Sequence, residues 1–182
     1  MRSGALRHSV IIQRPSSTSV DTMGHPTGGW AQYAERRASL EPLGGRELLV
    51  ATERFGTVSH RIRLRYTPGI TPDMRVLFRR THDTLSSGVT STGDVTLGVT
   101  DGADFPPAEN GSYRIRVDDE IMLVTAGHQT TSWTVTRAYD ATSATTHDAA
   151  ANLHLLGIAD IVAATVIREK KHEMVLMTAE EL

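Results

Sequence analysis

The residues with the most chemical potential are an acidic run and a row of arginines. Asp118, Asp119 and Glu120 are consecutive, and clustered carboxylates are what a metal-dependent nuclease or a calcium site requires. Consecutive side chains on a strand or turn diverge, however, and no second acidic cluster supplies the ligands that would have to converge from other elements. The run therefore reads as a plain hairpin turn. The histidines, His8, His25, His60, His82, His128, His147, His154 and His172, are scattered. None shows the helical pairing or carboxylate spacing of a metal site, so they read as packing or surface residues, with His60 the one most expected to be buried. There is no cysteine, hence no thiolate ligand, thiol nucleophile or disulfide frame, which fits a reducing compartment. Gly44-Gly45 is too short a glycine signal to cradle a phosphate, and no nucleophile elbow or dinucleotide fingerprint occurs. No catalytic residue, metal or cofactor is predicted.

The arginines sit in residues 57–80, TVSHRIRLRYTPGITPDMRVLFRR. Val58, His60, Ile62, Leu64 and Tyr66 alternate with Ser59, Arg61, Arg63 and Arg65, the period of a half-buried strand with one core face and one basic face. Such a face can meet DNA phosphate, an acidic patch on a neighbouring subunit, or water. TPGITP then reverses the chain, and Val76 and Phe78 alternate with Arg75, Leu77 and Arg79. The pattern predicts a long hairpin with one apolar and one basic side.

The other elements frame this stretch. Leu6, His8, Val10 and Ile12 alternate up to Pro15, a first strand. Residues 15–29 are polar and rich in Gly and Pro, longer than an ordinary hairpin connection. Residues 30–42 read as a twisted, bulged strand burying Trp30, Tyr33, Ala38 and Leu40. Leu48, Ala51 and Phe55 recur at helical spacing and predict a short helix of about three turns. At residue 81 the composition shifts to Ser, Thr, Gly, Ala and Asp, with short strands expected at 95–99, 113–117, 121–124 and 133–137 and an Asp-Asp turn between the middle pair. Trp133, Val95 and Leu97 read as the core of that module, a sugar-binding patch being the sharper alternative. After residue 152 the chain turns apolar, and a last hairpin has its tip at 168–173. A helix over 159–167 competes, and the β-branched content favours strand. That run carries Asp160 and is too short to span a bilayer.

The resulting architecture is mainly β: a small β-barrel base domain with one short helix, formed by residues 1–81 plus 153–182 and interrupted by an inserted all-β module at 82–152. Both parts, about 110 and about 70 residues, exceed the size at which cores fail, and insertion at a loop tip is what hosts tolerate. The formal charge of −2 gives no global attraction to nucleic acid, so any DNA contact is local or weak. The two Trp, four Tyr and three Phe supply few platforms for stacking on bases.

Four blocks, MRSGALRHSVIIQRP, the Asp-Thr-Met-Gly segment leading to Trp30, LEPLGGRELL and VSHRIRLRYTPGITPDMRVLF, resemble the head-tail adaptor proteins, also called head-closure or stopper proteins, of long-tailed phages. The resemblance covers residues 1–80 well and 153–182 loosely. Members are usually shorter, passing from the strand at 74–78 almost directly into the last hairpin. The 81–152 segment is thus a departure, and itself resembles a small β module of phage structural proteins, with YRIRVDDEIMLVT, a TVTR strand and a tail ending near His147. The usual glycines of that tail are replaced by Ala138 and Ala141.

The resemblance implies a virion structural protein, not an enzyme. Its subunits would form a homo-oligomeric ring of six or twelve copies in the neck, below the portal or adaptor ring and above the tail terminator or tail tube. The ring would seal the DNA channel and offer a tail-docking platform, with transient non-specific contact to packaged DNA and no membrane, assembling in the bacterial host cytoplasm. It further implies ring or partner contacts through Arg46, Glu47, Arg61, Arg63 and Arg65, and a channel-lumen loop containing Val20, Asp21, Met23, Gly24, His25 and Thr27. A surface adhesion or carbohydrate-binding protein acting through 82–152 is the alternative, and a nuclease using Asp118 to Glu120 a third reading.

Overall fold

A computed structural model describes residues 6–16, 29–55, 57–166 and 173–180, without the side chains of residues 45–47, 54 and 55. Two compact units are present, Met1–Phe78 with Gly157–Leu182, and Arg79–Leu156. The elements are β1 (His8–Pro15), β2 (Trp30–Pro42), α1 (Gly45–Phe55), β3 (His60–Arg65), β4 (Arg75–Thr84), β5 (Thr96–Gly98), β6 (Tyr113–Val117), β7 (Glu120–Ala126), β8 (Ser132–Thr136), β9 (Asn152–Val166) and β10 (Glu173–Glu180). Strands β4 and β9 contribute residues to both units. The fold is mainly β, with one α-helix among the described residues.

In the first unit the strand order is β10-β3-β2-β1-β4-β9, and β9 pairs back onto β10. The sheet closes on itself into a ring of six strands, which leaves no open edge among the described strands of this unit. Val10, Ile12, Ile62, Leu64, Val76, Phe78, Ile161 and Leu176 fill its interior. Ile62 and Leu64 are fully buried while Arg61, Arg63 and Arg65 alternate with them toward the outside, so the period read from β3 is the period observed. Each such aliphatic side chain contributes ~1.5–3 kcal/mol by leaving water. Tyr33 is the extra residue of a bulge in β2, because Ile12 pairs with Ala34 and Gln13 with Gln32. The 159–166 run is strand rather than helix, since β9 pairs with β10 from Ala159 to Val166, with one bulge at Val162.

Three expectations fail. β3 and β4 do not form a hairpin: β3 lies between β2 and β10, and β4 between β1 and β9. Pro68 and Gly69 do reverse the chain, but a turn signal names no partner strand. The link crosses over Tyr33, whose hydroxyl donates to the Pro68 carbonyl oxygen at 2.8 Å. Gly69 has φ 76°, and a side chain there would meet the Tyr33 hydroxyl, so the crossing requires glycine. Second, β4 has no exposed basic face at its start. Arg75 and Leu77 are as buried as Val76 and Phe78, Arg75 lying over the Trp30 ring at 4.2 Å and donating from Nε to Gln13 Oε1 at 2.8 Å. Third, the buried histidine is His147 at 4 % exposure. His60 is only partly covered, its ring 5.8 Å from that of Phe78.

In the second unit the order is β9-β6-β7-β8-β5. Residues after β4 complete this sheet: Leu85 bridges Val99 and its amide donates to the Ala151 carbonyl at 3.0 Å. Trp133, Leu97, Ile115, Phe105 and Tyr113 form the core, with the Phe105 and Trp133 rings edge to face at 4.8 Å. The Trp133 indole N–H donates to the Thr130 carbonyl at 2.9 Å, so burying it leaves no unmet donor.

Past β8 the backbone takes left-handed conformations at Ala138 (φ 53°), Asp140 (φ 50°) and Ala141 (φ 57°). The turn that glycine would form without strain is kept by residues carrying a Cβ, at a cost of about 1 kcal/mol or more each. Ala138→Gly and Ala141→Gly are each expected to stabilise the protein by ~0.5–1 kcal/mol, the relieved strain exceeding the extra entropy of the unfolded chain. Urea unfolding checks this, and an equal or lower midpoint would contradict it.

Candidate functional site

The outward side of β2 and β3 carries the strongest charge pattern in the first unit. Ser39 of β2 pairs with Arg63 of β3, and Glu41 with Arg61, so alternation on both strands brings these four side chains to one face. Arg61 grips Glu41 Oε2 with Nε at 3.1 Å and Nη2 at 2.8 Å. Arg63 Nε lies 3.6 Å from the same oxygen, and Ser39 Oγ donates to Oε1 at 3.0 Å. Burial alone would raise the Glu41 pKa, but the bonds from Arg61 and Ser39 and the charges of Arg63 and Arg61 outweigh it and hold the carboxyl below its usual range. One carboxylate serves two guanidiniums.

Arg65, exposed at the end of the row, opens into a shallow groove of about 560 Å³ lined by Leu6, Glu35, Arg36, Arg37 and Arg65. Here the arginines are held by neutral acceptors. Arg36 Nη1 donates to the Glu35 carbonyl at 2.8 Å and its Nε to Thr67 Oγ1 at 3.2 Å. Arg37 Nη1 donates to the Arg7 carbonyl at 3.2 Å. Glu35 accepts from Ser9 Oγ at 2.6 Å. Carbonyls fix guanidiniums without neutralising them, so the groove is a preorganised fork for carboxylate or phosphate oxygens.

Arg61, Arg63 and Arg65 thus lie together as their spacing predicts. Arg36 and Arg37 were missed, although the Arg-Arg pair in β2 was a visible signal. What was not visible is the register that sets β2 beside β3. The backbone of Arg46 and Glu47 forms the first turn of α1, and their side chains lie outside the described set. On the same helix Ala51 is buried, whereas Leu49 and Val50 are 68 % and 57 % exposed, an apolar surface that helical spacing alone did not assign to solvent. Val20, Asp21, Met23, Gly24, His25 and Thr27 lie outside the described residues. The ends of that segment meet: the Ser16 amide and hydroxyl both donate to the Gly29 carbonyl, at 2.8 and 2.6 Å.

The acidic run resolves into separate roles. Asp118 and Asp119 form the two-residue link of the β6–β7 hairpin, where Val117 pairs with Glu120, and Asp118 takes φ 50°, a conformation Asp tolerates. Glu120 is 1 % exposed and committed to the fold. Arg137 grips it with Nε on Oε1 and Nη2 on Oε2, both at 2.7 Å. The amides of Ala138 and Thr145 donate to Oε1 and Oε2 at 3.0 Å, and His147 Nε2 lies 3.0 Å from Oε2 while its Nδ1 faces Asp118 Oδ2 at 2.8 Å. Burial would raise the Glu120 pKa, but these donors, Arg137 foremost, bring it down to about 2. A carboxylate so saturated has no lone pair to spare for a metal or a substrate. Trp133 and Leu97 are fully buried, whereas Val95, expected in the core with them, is 55 % exposed because it precedes β5 at the surface, so the three share neither a core nor a sugar-binding surface.

Residues 1–95 match the family described as phage head completion protein. No curated protein matches the chain.

Because the Glu120 pKa is lower folded than unfolded, its contribution is present above the unfolded value near 4.5 and is lost as pH falls toward 2. The second unit is expected to lose ~3 kcal/mol over that window. Glu120→Gln should destabilise it by a similar amount at pH 7, by leaving Arg137 buried and unpaired, and should flatten the acid loss. Denaturant titrations from pH 7 to 2, followed by Trp133 emission in a Trp30→Phe background, check this. An unchanged acid profile in the variant would contradict it.

Proposed function

The chain belongs to the phage head completion protein family, a family of structural proteins, and on that premise we propose that it is a non-catalytic subunit of the virion neck. Its copies assemble into a ring of six or twelve between the portal or adaptor and the tail, close the channel after DNA is packaged, and present a platform for the tail. The single observation that carries this reading is the positive groove at Arg36, Arg37 and Arg65 on a closed strand ring. Among the described residues the six-strand ring of the first unit offers no open edge for strand addition, so at that unit a neighbour is held by side chains. A heterologous interface that repeats around an axis then joins this basic face to an acidic face of the next subunit.

Ser16 and Gly29, the residues that flank 17–28, are hydrogen-bonded to each other, and we assign the segment between them to the channel lumen. A formal charge of −2 suits a channel through which DNA must slide without being held. Residues 82–152 form a module inserted into the base, and a chain in which they are replaced by a short turn is expected to keep a folded base. Aggregation of that product would show instead that the module is integral.

Arg37→Ser and Arg65→Ser change exposed positions and are expected to alter subunit stability by less than about 0.5 kcal/mol each. Together they should shift the ring toward smaller species, and added salt should shift the wild type the same way. Mass photometry of the purified protein, alone and with its adaptor ring, reads both. Assembly that is indifferent to both substitutions and to salt would overturn the assignment of this face.

A further inference from the structure

The second unit carries a transverse row of basic side chains that the proposed assembly does not use. Arg116 of β6 pairs in register with His154 of β9, and the rings of His154 and His82 of β4 lie 6.2 Å apart. Arg79, also on β4, brings Nη1 to 3.5 Å from His154 Nε2. Arg79 and His82 are exposed and His154 is half-buried.

The acids nearby are spent. Arg116 donates from Nη2 to Asp119 Oδ1 at 2.7 Å and from Nε to the Asp118 carbonyl at 2.7 Å. Asp83 uses Oδ1 on the Thr84 amide and Oδ2 on the amides of Asp101 and Gly102. Among the described residues no carboxylate forms an ion pair with Arg79, His82 or His154. Burial first, then the charges of Arg79, His82 and Arg116, hold the His154 pKa below its ordinary value. A guanidinium beside two imidazoles, none of the three ion-paired to a carboxylate among the described residues, presents donors that an anion would satisfy. A divalent cation is the wrong guest for the two histidines, because the Arg79 guanidinium stands where a metal on His154 Nε2 would sit.

We propose that Arg79, His82 and His154 form a phosphate-binding site on the second unit, one that accepts either free phosphate or a phosphodiester of the DNA backbone. Arg79 supplies the planar fork and the two imidazoles supply N–H donors from adjacent strands, a set suited to several oxygens of one phosphate. The site rests on the second unit alone and does not depend on ring assembly.

The test follows the histidine side-chain resonances of the intact protein at low salt during titration with inorganic phosphate and, separately, with a short DNA duplex. The signals of His82 and His154 should move saturably while those of His8 and His60 do not, and His154 should titrate at higher pH with ligand bound. Response to both probes, or to inorganic phosphate alone, identifies the phosphate group as the ligand, and response to DNA alone identifies the diester backbone. Arg79→Gln should weaken binding about tenfold, the loss of one charge-assisted hydrogen bond, and Arg79→Lys should restore part of it. Resonances unmoved by either probe, or moved alike in Arg79→Gln, would overturn the site.

Discussion

Everything in the first unit depends on β10 finding its place between β3 and β9. Ser59 and Thr178, 119 residues apart, meet where the Ser59 hydroxyl donates to the Thr178 carbonyl at 3.2 Å. Met174 and Leu176 then bring the last apolar side chains into the interior. Contacts this distant in sequence are slow to form, because the loop entropy is lost before the pairing is gained. Once formed they leave no unpaired edge among the described strands of the first unit. In the first unit the strand backbone is thus paired internally, and what its ring presents outward is side chains.

Charge is distributed accordingly. On β3 the inward residues are aliphatic and the outward ones arginine, and the one carboxylate of the row, Glu41, is shared rather than matched. In the groove beside it Arg36 and Arg37 are tied to carbonyls, which fix their direction and leave their charge in place. The second unit treats charge in the opposite way. Glu120 is sealed in with Arg137 and His147 and enclosed by backbone amides, an arrangement whose energy lies in geometry and which strongly penalises removal of any single partner. The same residue types thus serve an outward face in one unit and an internal brace in the other.

Much of the fold was legible. Alternation in β3, the helix at Gly45–Phe55 and the short strands of the second unit follow from periodicity and turn residues, which act locally. What was not legible is non-local. The reversal at Pro68 and Gly69 was plain, yet β1 and β2 intervene between β3 and β4, and no local signal says which strand a turn delivers the chain to. Arg75 looked like a surface residue because arginine usually is one, and Trp30 and Gln13, brought from β2 and β1, are among the partners that make its burial tolerable. His147 was hidden for the same reason, since its partners Asp118 and Glu120 resembled an ordinary turn. The arginine face was half readable: Arg61, Arg63 and Arg65 by spacing, Arg36 and Arg37 only by strand register.

The central claim is that a ring with no free edge joins its neighbours through the arginine face. Its most direct test is an image of the assembled neck at side-chain resolution. Arg36, Arg37 and Arg65 of each subunit should lie within hydrogen-bond distance of carboxylates on the adjoining one. The same arginines facing open solvent, with subunits joined through another surface, would contradict the account.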